Sequence, residues 1–208
     1  MKTVLGGTFD PVHIGHLRLA LELAELLSAP GLPEKVDLMP CYDAVHKDGV
    51  SASPQQRLDM LKLAVNGEPL LGVDAREIAR QRPSYTIDSL REIRAEQGNS
   101  PVNLVIGSDN LTQLPGWKEA QDYAGLCHLI VVHRPGFAVP EVLPQGFVRA
   151  TLDELKMSPS GGLCLVGIEG LNVSSTQVRQ CLASGLSIRY LVTDAVHRYI
   201  CDNGLHFR

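Results

Sequence analysis

Long apolar runs, a net positive charge and paired cysteines are all missing from this chain. Each absence removes a class of protein. No stretch approaches the roughly 18 apolar residues that a membrane-spanning helix needs, so no membrane partner is expected. No charged-then-apolar leader opens the chain, whose first conspicuous motif begins at Leu5, and a cytoplasmic protein is the expectation. The formal net charge is −4, and without a global basic field nucleic acid is not an expected partner. The five cysteines (Cys41, Cys127, Cys164, Cys181 and Cys201) are odd in number, scattered, and form no Cys-x-x-Cys pair. That pattern argues against a disulfide framework or a structural zinc and points to reduced thiols.

What is present is ordinary in bulk and specific in detail. At 208 residues, 44% hydrophobic and 20% charged, the chain suits one globular domain over residues 1–208. Strands are predicted at residues 2–6, 36–39, 70–73, 102–106, 126–132 and 163–168, with helical periodicity between most of them. Pro40 is expected to stop the second strand, and Ser53-Pro54 to cap and open the helix through Arg57, Leu58 and Leu61. Arg76 and Arg80 read as surface charge. Residues 137–162 look like an irregular insertion with a short strand near Phe147–Thr151, and residues 170–208 form a C-terminal helical part. This alternation predicts a single Rossmann-like, doubly wound α/β domain with a mostly parallel central sheet.

The densest chemistry lies in Leu5-Gly6-Gly7-Thr8-Phe9-Asp10-Pro11-Val12-His13-Ile14-Gly15-His16. It reads as a strand, a glycine turn and a helix start. Gly6 and Gly7 would let the backbone turn tightly and approach a ligand with no side chain in the way. His13 and His16 stand three residues apart, so both can occupy one helix face. Free N–H groups and the positive dipole end there favour an anion, phosphate above all. Two imidazoles beside it can stabilise charge that develops during transfer. Taken separately, a glycine turn and a His pair are as readily structural. Together, at the carboxyl end of the first strand, they favour a nucleotide site. The spacing fits neither Walker A nor Gly-x-Gly-x-x-Gly.

A second cluster is Asn172-Val173-Ser174-Ser175-Thr176-Gln177-Val178-Arg179. Ser174 or Ser175 would cap a helix, and Arg179 lies three residues beyond Thr176, so its guanidinium can reach the same side. A plain cap with an exposed arginine is the alternative. Smaller signals lie beyond other strands. Thr86 can cap a helix from Ile87, whose start could also grip a carboxylate. Gly107 would permit close approach, and Asp109 could accept from ribose hydroxyls or simply form an Asx turn. Trp117 is the only tryptophan, either core or a stacking surface. His46 and Lys47 lie in a polar loop after the second strand, where surface charge is the plain reading. Arg134 is a credible phosphate ligand.

Gly6-Gly7-Thr8-Phe9-Asp10-Pro11-x-His13-x-Gly15-His16 resembles the signature of the HxGH nucleotidyltransferase superfamily. The chain looks most like its bacterial nicotinate mononucleotide adenylyltransferases, along its whole length. That resemblance implies a nucleotidyltransferase fold and transfer of AMP from ATP to nicotinate mononucleotide. Catalysis would fall to His13, His16, Thr176 and Arg179. ATP would be bound by Gly6, Gly7, Thr8, Phe9 and His16, by Gly107, Asp109 and Arg134, and by Ser174, Ser175, Thr176 and Arg179. The acceptor would meet His46, Lys47, Ser84, Tyr85, Thr86 and Trp117. Mg²⁺ would be held mainly by nucleotide phosphates and water, with no protein metal site.

Three positions depart from the pattern: Val45 and Thr193 stand where proline is usual, and Lys118 replaces the second aromatic of a pair. The alternatives are an adenylyltransferase acting on nicotinamide mononucleotide or phosphopantetheine, and a non-catalytic ATP-binding regulator. A homo-oligomer is left open. Lys156-Met157-Ser158-Pro159-Ser160 resembles the synthetase "KMSKS" loop but lacks its second lysine and reads as a decoy.

Overall fold

The computed structural model describes residues 1–43, 51–132, 142–168 and 170–205. In chain order, β1 (Lys2–Gly7) leads through the glycine motif to α1 (Ile14–Leu27), β2 (Val36–Pro40), α2 (Pro54–Val65) and β3 (Leu71–Val73). Then follow α3 (Arg76–Arg80), α4 (Thr86–Gln97), β4 (Val102–Gly107) and α5 (Ser108–Gln113). Two 3₁₀ turns, Leu114–Gly116 and Ala120–Asp122, and the short α6 (Tyr123–Leu126) lead into β5 (His128–Val132). The remainder is β6 (Val148–Arg149), α7 (Leu152–Leu155), β7 (Gly162–Val166), α8 (Ser175–Ala183) and α9 (Asp194–Asp202).

The strands form one sheet in the order β3-β2-β1-β4-β5-β7-β6. Every pairing among them is parallel, against the mostly parallel sheet expected. Parallel strands buried on both faces read as apolar runs whose residues alternate between two cores. In β4, Leu104 and Ile106 join one core and Val105 the other. In β5, Leu129 and Val131 likewise oppose Ile130 and Val132. One core collects Leu23 and Leu27 of α1, Met60 and Leu61 of α2, Val178 of α8 and Ile200 of α9. The opposite core collects Ile87, Leu90 and Ile93 of α4, Leu111 of α5 and Tyr123. Helices therefore cover both faces, as a doubly wound sheet requires.

The chain runs outward from β1 to β2 and β3, then returns to place β4 on the other side of β1. The carboxyl ends of β1 and β4 are thus the topological switch point, where open α/β sheets hold ligands. No helix among the described residues is long and apolar enough to cross a membrane. All five cysteines are free thiols.

Several local expectations need correction. Pro40 is the last residue of β2 rather than its terminator, paired with Gly7. Arg76 and Arg80 lie in a short helix the periodicity did not reveal, and neither is loose surface charge. Arg76 donates to Asp74 at 2.9 Å and to Glu96 at 3.0 Å, and Arg80 to Glu92 at 3.0 Å and Ser89 at 2.6 Å. Burial pushes the Asp74 carboxyl up, but hydrogen bonds from Arg76 and Lys2 outweigh it and hold the group below the usual range. The insertion contains α7 as well as β6. Lys156–Ser160 sits at the amino ends of the strands, where Pro159 O accepts from Val102 N at 3.2 Å and Ser158 O meets His128 Nε2 at 2.8 Å. That is the edge of the sheet opposite the switch point.

Candidate functional site

The two strong motifs meet. Ser175 Oγ donates to Pro11 O at 2.9 Å, and Arg179 Nη1 donates to Asp10 O at 2.8 Å. Arg179 Nη2 reaches Thr176 Oγ1 at 3.3 Å, placing both polar groups of α8's first turns on the side facing the glycine motif. Gly15 makes the approach feasible, because a Cβ there would lie 3.0 Å from the His13 ring and 3.3 Å from Leu171 O. Ser174, not Ser175, is the cap of α8, with its Oγ accepting from Gln177 N.

His13 and His16 cap the start of α1 reciprocally. His13 Nδ1 accepts from His16 N and His16 Nδ1 accepts from His13 N, each at 3.3 Å. The rings stack with centroids 3.6 Å apart, and Phe9 lies edge-on to His16 at 4.9 Å. A ring nitrogen that accepts carries no proton, so this geometry assigns both imidazoles the neutral tautomer with the proton on Nε2. The rings are thereby set as Nε2–H donors. The helix start itself is less open than expected. Ile14 N donates to Leu191 O at 3.0 Å, and His16 N is taken by His13. An anion held here would lean on imidazoles more than on backbone.

The glycines also act differently from expectation. Gly6 and Gly7 are the last strand residues, and the left-handed turn residue is Phe9, at φ 51°. A Cβ on Gly7 would come within 2.8 Å of the Phe9 ring, so Gly7 serves the packing of that ring. At Gly6 none of the described residues lies within 4 Å of the would-be Cβ, and among them an approaching ligand finds open space there. Thr8 contributes its carbonyl to Arg57 at 2.8 Å.

Gly107 precedes α5 at the neighbouring strand end, with Ser108 fully buried. Asp109 is a residue of α5 rather than the centre of an Asx turn. Its Oδ1 is buried without a hydrogen-bond partner among the described residues, a costly arrangement for a carboxylate unless a donor arrives from outside.

On the other side of the sheet ends, Ser84 Oγ accepts from Tyr42 N at 2.9 Å, joining the exit of β2 to the approach of α4. Thr86 is the first residue of α4 and does not cap it; Tyr85 holds the cap position. The Tyr123 hydroxyl meets the Thr86 side chain and the backbone of Ile87, so one of the N–H groups expected to await a carboxylate is already engaged. Trp117 packs edge-on to Tyr123 at 5.8 Å, half-buried, and Lys118 Nζ lies 4.7 Å over the Tyr85 ring. The fold thus gathers Ser84, Tyr85, Thr86, Trp117 and Lys118 into one neighbourhood. His46, Lys47 and Arg134 lie outside the described residues.

Three organising residues carried no role in the sequence reading. Arg57, 1% exposed, donates to Thr8 O, Cys41 O and Tyr42 O at 2.7–2.8 Å, and to Ala52 O at 3.4 Å. Asp10, 2% exposed, accepts from Ser51 N at 2.8 Å and Ala52 N at 2.9 Å. Glu77 is buried beneath Ser89, which donates to it at 2.5 Å; burial pushes its carboxyl up against hydrogen bonds from Ser89 and Ser84. The available signal was weak for two of them, an arginine between apolar helix positions and a glutamate in an unremarkable segment, whereas Asp10 stood inside the glycine motif itself.

Residues 4–181 match the family model described as cytidylyltransferase-like. A Pseudomonas putida (strain GB-1) protein named "Probable nicotinate-nucleotide adenylyltransferase" is 48% identical over 95% of this chain and 90% of its own length. A Cellvibrio japonicus protein of the same name is 41% identical over 98% and 97%. A solved structure of Plasmodium falciparum nicotinic acid mononucleotide adenylyltransferase complexed with NaAD superposes with a TM-score of 0.75, covering 100% of this chain and 99% of that one. At 17% identity it speaks for the fold alone.

Proposed function

The chain belongs to the nicotinate-nucleotide adenylyltransferases, within the cytidylyltransferase-like family, and from that premise we propose how its residues divide the work. It transfers AMP from ATP to nicotinate mononucleotide, giving deamido-NAD and pyrophosphate, a step of NAD biosynthesis. An oxygen of the acceptor's phosphate forms a bond to the α-phosphorus of ATP. The bond from that phosphorus to the bridging oxygen breaks, and pyrophosphate leaves with the electron pair. An ionised phosphate is already a nucleophile, so no general base is needed, and catalysis reduces to alignment and charge stabilisation.

The observation that carries this reading is the joining of the two motifs through Arg179 and Ser175 across Asp10 and Pro11. It sets a guanidinium, a hydroxyl and a helix start beside two Nε2–H imidazoles at the switch point. In our assignment His16 and Arg179 neutralise charge developing on the phosphates, and His13 and Thr176 assist. Phe9 backs His16, and Gly6, Gly7 and Thr8 form the floor. Asp109 Oδ1 accepts from the ATP ribose beside Gly107. Ser84, Tyr85, Thr86 and Trp117 receive the pyridine ring and its carboxylate, with Lys118 adding positive charge nearby. His46, Lys47, Arg134, Ser174 and Ser175 retain the roles the resemblance gives them.

The described residues gather no group of three or more His, Cys, Asp or Glu fit to hold a metal. We propose Mg²⁺ as a phosphate-bound, largely hydrated ion that would offset phosphate charge, a mode of binding that asks little of the protein.

The test is pyrophosphate release from Mg-ATP with nicotinate mononucleotide, nicotinamide mononucleotide and phosphopantetheine in turn. Strong preference for the first is expected. Turnover with only another acceptor overturns the pyridine-pocket assignment. ATP binding without turnover on any of them overturns the catalytic one.

A further inference from the structure

Arg179 takes its orientation from a main-chain oxygen that any residue at position 10 could supply, which leaves the buried carboxylate of Asp10 to be explained. Its two oxygens accept successive N–H groups, Ser51 N at 2.8 Å and Ala52 N at 2.9 Å, just before the Ser53 cap of α2. Arg57 Nε lies 3.4 Å from the Ala52 carbonyl, too far to add much to that anchor. The carboxylate thus anchors residue 10 to the entry of a helix, one residue after the left-handed Phe9. A backbone conformation of that kind persists only where its surroundings fix it. The same carboxylate leaves Oδ2 at 3.9 Å from Arg179 Nη1, while the Asp10 carbonyl accepts from that nitrogen at 2.8 Å.

We propose that Asp10 is a positioning residue for the transfer: its side chain fixes the peptide that orients Arg179, so that the guanidinium is set before ATP arrives. One nitrogen of the fork stays on the Asp10 carbonyl. The other, whose contact with Thr176 Oγ1 is long at 3.3 Å, is the one a phosphate oxygen takes. Asp10 touches no substrate. It acts through Arg179, and the consequence is felt by ATP rather than by the acceptor. This rests on the assignment of Arg179 to the ATP phosphates made above.

The experiment is steady-state pyrophosphate release by the full chain, with ATP and nicotinate mononucleotide varied separately, for D10N, R179K and the double variant. Asn keeps the shape of Asp but turns one acceptor into a donor facing a backbone N–H, so one anchor is lost. D10N is expected to raise KM for ATP by about tenfold or more while KM for nicotinate mononucleotide stays within about twofold. In the R179K background it should add less than about twofold, since two changes acting through one group do not add. Equal increases in both KM values, a full additional loss on top of R179K, or a folded D10N with normal KM for ATP overturns the proposal.

Thermal unfolding monitors each variant. Should D10N fail to fold, D10E, which keeps the charge but moves it by one methylene, is expected to show the same ATP-selective, non-additive loss. A normal KM for ATP in D10E overturns the proposal as well. Inactivity of the unsubstituted chain with nicotinate mononucleotide would instead overturn the functional reading, and this inference with it.

Discussion

Replacing Arg57 by Met removes a guanidinium and keeps most of its stem. Arg57 is 1% exposed and holds three carbonyls at 2.7–2.8 Å: Thr8 O in the glycine motif, and Cys41 O and Tyr42 O at the exit of β2. The fourth contact, to Ala52 O at 3.4 Å, is too long to count for much. A hydrogen bond from a charged donor contributes about 1.5–3 kcal/mol, and a buried acceptor left without its donor costs about 1–3 kcal/mol. Counting only the orphaned carbonyls, at about 1 kcal/mol for each of the three, gives a loss of roughly 3 kcal/mol. For a chain of this size that corresponds to a fall in melting temperature of roughly 6–12 °C. Urea unfolding followed by circular dichroism should show a lower midpoint with an unchanged slope. Arg57→Lys, with three donors on one nitrogen in place of a rigid fork, should fall between. A loss below about 1 kcal/mol in Arg57→Met, less than one such orphaned carbonyl, would refute the reasoning. It would mean that water or a shifted neighbour satisfies these carbonyls.

Other substitutions test the site and the fold. His16→Ala should lower turnover by about 10²–10³-fold if the ring acts as an oxyanion-type donor. Loss of its capping contact should cost only about 1 kcal/mol of stability, so comparing single-turnover rates with melting temperatures separates the two, and unchanged turnover rules the role out. Asp109→Ala should raise KM for ATP by about tenfold and leave the acceptor's KM alone; a stability gain with unaltered kinetics would show that the buried oxygen serves no ligand. At His128, Nδ1 accepts from Gly162 N at 2.9 Å and Nε2 donates to Ser158 O at 2.8 Å, and burial pushes the ring's pKa down. The unfolded chain then binds the proton more readily, so stability should fall as the pH drops below about 6.5 toward the folded value. His128→Gln should flatten that slope in urea titrations between pH 7.5 and 5, and an identical slope in both proteins would contradict the assignment.

Repeating local patterns were legible because local physics makes them. The apolar alternation of β4 and β5, the 3.6-residue period of α1 and the Ser53-Pro54 start of α2 follow from side-chain periodicity and orphan N–H groups, and all three stand in the structure. Short helices were not legible. Segments the length of α3, α5 and α6 are too short to display a period. Thr86 as a cap failed because a tertiary partner, Tyr123, took its hydroxyl. Arg76 and Arg80 were misread because burial of charge depends on partners distant in sequence, such as Glu96 and Glu92.

The amino-acid sequence alone determined the fold class, the two motifs and the family they resemble, since each is a pattern of local stretches: the motifs singly, the fold class through their alternation along the chain. What only the tertiary structure decided is where those stretches go. The sheet order brings the β1 and β4 ends side by side, and packing of α8 against the glycine motif turns Arg179 onto Asp10. Contacts between residues 169 positions apart depend on the closing of loops and the burial of two cores. Long-range packing brings the two motifs together, and the proposed function assigns the phosphates to that meeting point.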